Sequence, residues 1–494
     1  MKRFLSILLA AALSLMAVPA SALADEVSET AGSDNPTVGS GEEARSLDEL
    51  LQAGDYVPGR VLAHVNDDFA PVSAYSSNGG GWSASNLYTF DPQPEAGAEA
   101  DVPLARSMPT PEQVILIESG TQSTEDLLRD LADTPGVLAA QPDYVRYIDD
   151  LETQAKPVEE PAAALSADTA PTDDPLIGLQ WHLAPTDEIA GAANVETLWG
   201  DEGIPGRPWQ GKEEVVVAVV DTGVDCTNPD LKDVMWENPG NIGLEGEHGY
   251  DYGMGDDDPM DNDGHGTHVA GIIAASVNNG EGVAGVAPNA KIMALRVANE
   301  SGGFLTSAVL GAYSYMKKAA QARVNLVAAN NSWMGAGESP LLTEVMDDLY
   351  RSNGVLSVCA SGNYAADLDQ SLNLPAGAPT DGAIAVNAVD REGRLASFSD
   401  YGAAATDLAA PGTDILSTAP QGQGIVDGDD PELTVAFDDF ESEDRMFSFQ
   451  ASGDAEPSVS RAEVPQVVGD APSQGVLMSV SYTHLRAHET LSDL

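Results

Sequence analysis

Two residues near the middle of the chain have the types and the settings that proton transfer needs. Asp221 directly follows the apolar run Glu214–Val220. At this position a carboxylate can orient a histidine and stabilise its protonated form. Considered alone, such an aspartate more often caps the turn after a strand. His265 lies in the segment Asp263–Gly271 (DGHGTHVAG), whose glycines allow close backbone approach at the start of a helix. Together the two residues indicate a histidine general base that is oriented by an aspartate.

A metal site is the competing interpretation of the same segment. His268 follows His265 by three residues, so the pair would also suit a metal ion. Zinc sites use three or four nitrogen, sulfur or oxygen ligands, and no cysteine or third histidine lies near this pair. We therefore expect acid–base chemistry at this segment.

The elements that position these residues are predicted from the apolar pattern. Five short runs are almost continuously apolar, as strands buried on both faces are: Glu214–Val220, Lys291–Val297, Val324–Ala329, Val355–Ala360 and Ala383–Ala388. Helices are predicted between them at His265–Ala275, Thr306–Ala322 and Pro340–Ser352. This alternation predicts a doubly wound α/β fold with a mostly parallel sheet, whose functional groups gather at the carboxyl ends of the strands.

A small α+β domain is predicted before it, at residues 51–150. Tyr56–Val65 and Glu112–Ile117 have the composition of strands, and Ser123 precedes an amphipathic helix. Residues 66–108 are rich in Gly, Ser and Pro, and we predict an insertion or a mobile loop there.

The remaining segments complete the predicted organisation. Lys2 and Arg3 precede an apolar run that ends in small residues, which is typical of a signal peptide, here residues 1–24. We expect an acidic disordered segment at 25–50, a linker at 151–172, an insertion with a β-module at 421–478 and a non-native tail at 479–494. Because no later run is long and apolar enough to span a bilayer, we expect an exported protein without a transmembrane segment.

The charge of the chain limits its partners. The 494 residues include 79 acidic and 22 basic side chains, a net charge of −57, which repels nucleic acid and anionic membranes and favours cation binding. Two cysteines, Cys226 and Cys359, cannot form a disulfide framework. We expect two buried thiols, and one bridge is the alternative.

Three motifs resemble those of a known family of hydrolases. Asp221–Asp225 (DTGVD), Asp263–Gly271 and Ala360–Asn363 (ASGN), in this order, resemble the motif set of the subtilisin-like serine proteases, the subtilases or peptidase family S8. The resemblance covers residues 173–420. It implies a partial subtilisin-like catalytic domain that hydrolyses peptide bonds in polypeptide substrates.

The resemblance also implies roles for individual residues. Asp221 and His265 correspond to two members of the catalytic triad, and Asn363 to the side chain that donates to the oxyanion. Such a donor contributes about 2.7–4 kcal/mol in subtilisin itself. The segment that pairs with the substrate backbone is occupied by Ser332, Trp333 and Met334.

Structural calcium is implied in the same way, with no organic cofactor. Asp230 matches a family position that supplies a carboxylate to a calcium site, and Asn278, Asn279 and Asp174 are expected to add oxygens. A second acidic cluster at 251–258 resembles another calcium loop, which is weakened by a methionine at a position that is often acidic.

The domain at 51–150 resembles the inhibitory propeptide of these proteases. The resemblance therefore implies that the chain carries its own intramolecular inhibitor. Together with the signal peptide, it predicts a secreted, extracellular and monomeric protein, whose association with a cell wall stays open.

The resemblance ends before the motif Gly-Thr-Ser-Met-Ala-x-Pro, which carries the nucleophilic serine of the family and does not occur in the 494 residues. We expect that the sequence of a serine endopeptidase is truncated here before its nucleophile, so that the 494-residue chain is inactive. The alternatives are a catalytically dead pseudoprotease and a propeptide-type inhibitor or binding module.

Overall fold

The structure of the protein is a computed structural model. The described residues are 37–38, 45–69, 82–91, 111–146, 172–201, 214–336, 339–371, 373–420, 425–426 and 434–438. The predicted signal peptide and the predicted tail lie outside them, as do most of the predicted linker and of the predicted insertion.

The N-terminal part folds into an antiparallel sheet with two helices. Its elements are β1 (Thr37–Val38), β2 (Arg45–Ser46), α1 (Leu47–Gln52), β3 (Tyr56–Val65), β4 (Trp82–Thr89), β5 (Gln113–Ser119), α2 (Thr124–Ala132) and β6 (Val137–Arg146). Strands β6, β3, β5 and β4 lie side by side in this order. Alternate residues of β3, Val61 and Ala63, pack in one core with Leu127 and Leu131 of α2, so the helices cover one face of the sheet.

The prediction of disorder for residues 25–50 is wrong for the part that the structure describes. Helix α1 begins after Ser46, whose Oγ accepts a hydrogen bond from the backbone N of Glu49 at 3.4 Å. The Glu49 carboxylate accepts one from the backbone N of Ser46 at 2.9 Å, which completes a capping box. Leu47 and Leu50 are buried, so packing against the sheet holds this helix despite its acidic sequence.

The second part of the chain contains the predicted parallel sheet. Its elements are α3 (Val195–Asp201), β7 (Val215–Asp221), β8 (Gly249–Asp251), α4 (His265–Ala274), β9 (Ala290–Arg296), β10 (Phe304–Leu305), α5 (Thr306–Gln321), β11 (Leu326–Asn331), β12 (Gly335–Ala336), α6 (Pro340–Asn353), β13 (Leu356–Ala360), β14 (Asn373–Leu374), β15 (Ala383–Val389), β16 (Leu408–Pro411), β17 (Ile415–Thr418), β18 (Ile425–Val426) and β19 (Thr434–Asp438). Single 3₁₀ turns occur at Ile177–Leu179, Trp181–Leu183 and Lys232–Val234.

Seven parallel strands form the central sheet in the order β16-β15-β13-β11-β7-β9-β8. The chain leaves β7 toward β8 and β9 on one side and returns to β11 on the other. This reversal is the switch point of a doubly wound fold, as the sequence predicts. The five predicted strands and three predicted helices are present, with ends within two residues of the predicted ones.

Helices cover both faces of β7. Val216, Ala218 and Val220 pack in one core with residues of α5 and α6. Val219 packs on the other side with Val269 of α4. Burial on both faces explains why the sequence of β7 is continuously apolar until Asp221.

The N-terminal sheet packs on the same two helices from the outside. Leu62 of β3 and Leu116 of β5 share a core with residues of α5 and α6. Strand β6 also pairs antiparallel with β10, with Arg146 opposite Phe304, so β10 extends the N-terminal sheet to five strands. Helices α5 and α6 therefore lie between two sheets.

The prediction of a loop over residues 66–108 is wrong for β4, which pairs with β5 along this segment. Tyr88 of β4 is fully buried, and its hydroxyl donates to Oδ2 of Asp348 in α6 at 2.8 Å. Lys317 of α5 lies 2.6 Å from the same carboxylate and donates to the carbonyl O of Thr89 at 2.8 Å. These contacts between parts distant in sequence hold a strand that its own composition does not predict.

Polar side chains of β6 contact the first residues of α5 and α6. The carboxylate of Asp143 accepts hydrogen bonds from the backbone N and from Oγ of Ser307, both at 2.8 Å. Gln141 donates from Nε2 to Oγ of Ser339, the residue before α6, at 2.9 Å. Burial raises the pKa of Asp143, while Arg60, whose Nε lies 3.3 Å from Oδ2, acts in the opposite direction. Asp143 thus supplies an acceptor that the start of α5 lacks, and Gln141 holds the residue that precedes α6.

We predict that Asp143→Ala lowers the free energy of unfolding by about 1–3 kcal/mol, because it leaves the buried backbone N–H and hydroxyl of Ser307 without their acceptor. Glu118→Ala is the matched control, since Glu118 also lies 3.3 Å from Arg60 but its side chain is half exposed, and it should cost less than about 1 kcal/mol. Urea denaturation of the three proteins measures both effects. Equal losses for the two variants would contradict the assigned contact.

Candidate active site

Asp221 is the last residue of β7 and lies at the carboxyl edge of the central sheet. Because β7 pairs with β9 on one side and β11 on the other, this end of the strand is buried, and Asp221 is fully inaccessible. Its Oδ1 accepts a hydrogen bond from the backbone N of Thr222 at 2.7 Å and lies 2.6 Å from Nδ1 of His265. A carboxylate acceptor there favours a proton on Nδ1, which makes Nε2 the basic nitrogen of the ring.

His265 is the first residue of α4, and the start of this helix rests on the loop after β7. The backbone N of Gly266 donates to Oγ1 of Thr222 at 2.9 Å. A Cβ atom on Gly266 would lie 2.0 Å from the carbonyl O of Gly223, so only glycine permits this approach. The imidazole is therefore carried by a helix start that is fixed to the strand end bearing Asp221.

Asp261 supports the same helix start and was missed by the sequence analysis. Its buried carboxylate accepts hydrogen bonds from the backbone N of Asp263, Gly264 and Thr267, each at 2.9 Å, and from Oγ1 of Thr267 at 2.6 Å. Burial raises the pKa of Asp261, whereas these four donors favour its charged form. An aspartate just before a helix is a known capping signal, and it was available in the sequence.

Asn363 and His265 line one cavity, of about 430 Å³, at the carboxyl edge of the sheet. Asn363 follows β13, and Ser332, which also lines the cavity, follows β11. Because β11 and β13 are adjacent parallel strands, their carboxyl ends lie next to each other. The structure thus brings together three residues that the sequence analysis assigns to the base, the oxyanion donor and the substrate-pairing segment.

The two other residues of the predicted substrate segment form a wall of this cavity. Trp333 is buried, and its ring packs edge-on against Phe304 with the centroids 6.2 Å apart. Met334 is also buried, and its Sδ accepts a hydrogen bond from Nδ2 of Asn373 at 3.5 Å. Large side chains therefore shape the pocket at positions next to Ser332.

The four predicted calcium ligands also lie together. Oδ1 of Asp230 accepts a hydrogen bond from Nδ2 of Asn279 at 2.8 Å. The carboxylate of Asp174 accepts one from the backbone N of Asn278 at 3.0 Å and one from that of Asn279 at 3.2 Å. Burial raises the pKa of Asp174 to about 6, and burial together with the charge of Asp174 raises that of Asp230 to about 8. In the described part of the chain, no basic residue acts on either carboxyl group.

The cluster offers a metal ion few charged side chains as ligands. Within the described ranges, no three His, Cys, Asp or Glu side chains are placed to hold one metal ion. A cation bound between Asp174 and Asp230 would therefore need amide and backbone oxygens as well, which is usual for calcium. His265 and His268 do not form the alternative metal pair. Nε2 of His268 lies 3.1 Å from the carbonyl O of Ile415, so this nitrogen is engaged by the backbone.

Two hydroxyl groups at the end of β17 lie near α4 and do not line the cavity. Ser417 donates to the carbonyl O of His268 at 2.7 Å, and Thr418 donates to that of Thr267 at 2.8 Å. Both hydroxyls are thus engaged by the helix backbone. Cys226 and Cys359 are both free thiols; Cys359 is buried as expected, whereas Cys226 is only partly buried.

Comparison with known proteins identifies the family. Residues 212–437 match Peptidase S8, the Subtilase family. The thermophilic serine proteinase of Bacillus sp. (strain AK1) is 38% identical over 202 residues, which are 41% of this chain and 45% of that protein. Subtilisin DY of Bacillus licheniformis is 36% identical over 207 residues, which are 42% of this chain and 67% of that protein. The chain belongs to the subtilase family.

The similarity covers only part of most relatives. The chain spans 45% of the Bacillus AK1 protein and 63% of the major intracellular serine protease of Bacillus subtilis (strain 168), to which it is 35% identical over 225 residues. Among solved structures, fervidolysin from Fervidobacterium pennivorans, a keratinolytic enzyme related to subtilisin, aligns with a TM-score of 0.48 and 23% identity. That alignment covers 84% of this chain and 52% of the other.

These findings confirm two predictions from the sequence. The chain is a subtilase, a family of serine endopeptidases, and its catalytic part is a doubly wound parallel α/β domain.

Proposed function

We propose that this site performs the acid–base and oxyanion steps of a serine endopeptidase. The observation that carries the proposal is the 2.6 Å contact between Nδ1 of His265 and Oδ1 of Asp221, at a cavity that Asn363 also lines. In the proposed mechanism, His265 takes the proton of a serine hydroxyl as that oxygen attacks the peptide carbonyl. Asp221 stabilises the imidazolium that results, and the Asn363 amide donates to the oxyanion.

The proposed substrates are polypeptides bound in extended form. Ser332, Trp333 and Met334 line the cavity next to His265 and Asn363, so a peptide lying along them would pass the base and the oxyanion donor. Backbone pairing of this kind tolerates many sequences, and the side-chain pockets provide the preference.

The N-terminal domain is proposed to act as an intramolecular inhibitor. Its strand β6 runs antiparallel to β10 and ends with Arg146 opposite Phe304, and Phe304 packs on Trp333 of the cavity wall. Arg146 therefore lies beside the proposed substrate site. This placement supports the role of a propeptide that covers the cleft.

Structural calcium is proposed at the cluster of Asp174, Asp230, Asn278 and Asn279. Subtilases commonly bind structural calcium. Two buried carboxyl groups on which only acidic charges act within the described residues fit a cation, because a bound cation would offset the cost of burying their charge. When bound, calcium would hold the segment before β7 against the loop at Asn278, with no part in catalysis.

The proposed location is extracellular, on the basis of the signal-like sequence at residues 1–24. These residues lie outside the described ones. Among the described residues, no helix is both long and apolar enough to cross a membrane. The proposed oligomeric state is a monomer.

Binding of peptides without cleavage is the second candidate function. The observation that favours it is the lack of a Gly-Thr-Ser-Met-Ala string in the 494 residues. In subtilisin, loss of the nucleophile lowers kcat by about 10⁶. The two candidates share the cleft and differ in whether the gene also encodes the serine.

We predict that added calcium raises the thermal midpoint of the chain and that a chelator lowers it, because a ligand at 100 times its Kd stabilises the folded state by about 2.7 kcal/mol. Asp230→Asn should abolish this response. Asp187→Asn, at an exposed position outside both acidic clusters, is the matched control and should retain it. A response to calcium that is the same in both variants would contradict the assigned site. Differential scanning calorimetry gives the measurement.

We predict that the purified 494-residue chain does not hydrolyse casein above the level of its His265→Ala variant, because the motif that carries the nucleophilic serine of the family does not occur in the 494 residues. Sequencing of the gene past the codon for Met478 distinguishes the two candidate functions. A Gly-Thr-Ser-Met-Ala motif in frame supports the endopeptidase, and a verified stop codon favours the peptide-binding protein. Cleavage by the 494-residue chain that is lost both in His265→Ala and with phenylmethylsulfonyl fluoride would contradict the prediction.

A further inference from the structure

Asp400 is a buried acidic residue that holds the backbone around Asn363. Its own backbone N donates to the carbonyl O of Gly362 at 2.7 Å. Its Oδ1 accepts hydrogen bonds from the backbone N of Tyr364 and of Ala366, both at 2.8 Å. Asp400 thus contacts the backbone on both sides of the proposed oxyanion donor, with its backbone N before Asn363 and with Oδ1 after it.

The second carboxylate oxygen makes no such contact. Oδ2 of Asp400 is buried and has no hydrogen-bond partner within 3.5 Å among the described residues, although the side-chain amide of Asn373 interacts more weakly with the carboxylate. It is directed at Gly362, since a Cβ atom on that glycine would lie 2.3 Å from Oδ2 and 2.0 Å from Cε of Met334. Gly362 and Met334 both line the active-site cavity. The unpartnered oxygen therefore lies directly behind the cavity wall, next to the methyl group of Met334.

A buried carboxylate without a cation is costly, because burial removes water and nothing replaces the lost solvation. None of the ion pairs within the described ranges includes Asp400. Burial raises the pKa of Asp400, and the nearby amide of Asn373 only partly opposes this effect. The group is therefore one that an incoming positive charge would stabilise.

The side chain between this oxygen and the cavity is able to move. Met334 is unbranched and adapts its shape more readily than other apolar residues. The glycine at position 362, with φ of +119°, leaves the space between the methyl group and the carboxylate free of a Cβ atom. A long side chain with a charged end that displaced the methyl group would reach Oδ2.

We propose that Asp400 makes this cavity selective for a substrate residue with a long cationic side chain, lysine or arginine, whose head group displaces the Met334 methyl and binds Oδ2. This inference rests on the proposed function, because it requires that the cavity receive a side chain of a bound peptide. Asp400 is then a specificity-determining residue, and it takes no part in proton transfer.

The test is the binding of fluorescein-labelled tetrapeptide amides, three alanines followed by arginine, citrulline, leucine or glutamate, to the 494-residue chain. Citrulline has the shape of arginine without its charge. Fluorescence anisotropy should give a Kd for the arginine peptide about tenfold or more below that for the citrulline peptide, because hydrogen bonds between charged groups are the stronger ones. Asp400→Asn should reduce this ratio to below about twofold, since its Oδ1 can still accept from the loop while the charge is gone.

Two controls separate the site from the overall negative charge of the protein. Glu392→Gln removes one charge from an exposed side chain and should retain the preference for arginine. Met334→Ala opens the path to Oδ2 and should strengthen binding of the arginine peptide, which tests the inference even if Asp400→Asn fails to fold.

The outcomes are distinguishable. Equal Kd values for arginine and citrulline in the unaltered chain would overturn the inference while leaving a peptide-binding cleft in place. A preference that persists in a folded Asp400→Asn protein, or that Glu392→Gln abolishes to the same extent, would assign it to net charge and would also overturn the inference. If no peptide bound at all, the inference would be overturned, because a cleft that peptides do not enter exerts no selection on them. The proposed function would stand, since an N-terminal domain that covers the cleft predicts the same result.

Discussion

The burial of β7 is the constraint on which the rest of the structure depends. This strand has neighbours on both edges and helices on both faces, so only its carboxyl end can carry a polar group that acts in chemistry. Asp221 occupies that end. The parallel neighbours β11 and β13 end at the same edge and lead to Ser332 and Asn363. The sheet therefore assembles the site from segments that are far apart in the sequence.

Helices α5 and α6 connect this sheet to the N-terminal domain. They are apolar on the side of β7 and also on the side of β3 and β5, which makes them the shared core of both sheets. The polar contacts of Asp143 with Ser307 and of Gln141 with Ser339 join β6 to the starts of the two helices. Since β10 immediately precedes α5, the same docking places the end of β6 beside the cavity wall. The contacts that hold the N-terminal domain on these helices therefore also set its position near the site.

Much of the fold could be predicted because its signals are local. The continuous apolar runs of β7, β9, β11, β13 and β15 and the helices between them are visible in the sequence, as are the motifs with Asp221 and His265. β8 and β16 were missed because they are edge strands of only three and four residues, which is too short to show a pattern in the sequence. The contacts of Tyr88, Asp261 and Asp400 were missed for a different reason. They depend on partners brought together only by the tertiary structure, or on capping signals that many solvent-exposed aspartates share.

The most direct test of the central claim is a double-mutant cycle between Asp221 and His265. The unaltered chain, Asp221→Ala, His265→Ala and the double variant are compared by urea denaturation. Because the two side chains share a buried hydrogen bond of 2.6 Å, we expect an interaction free energy of about 0.5–3 kcal/mol, so that the double variant loses less stability than the sum of the single ones. Strictly additive losses would show that Asp221 and His265 do not form one unit and would contradict the proposed site.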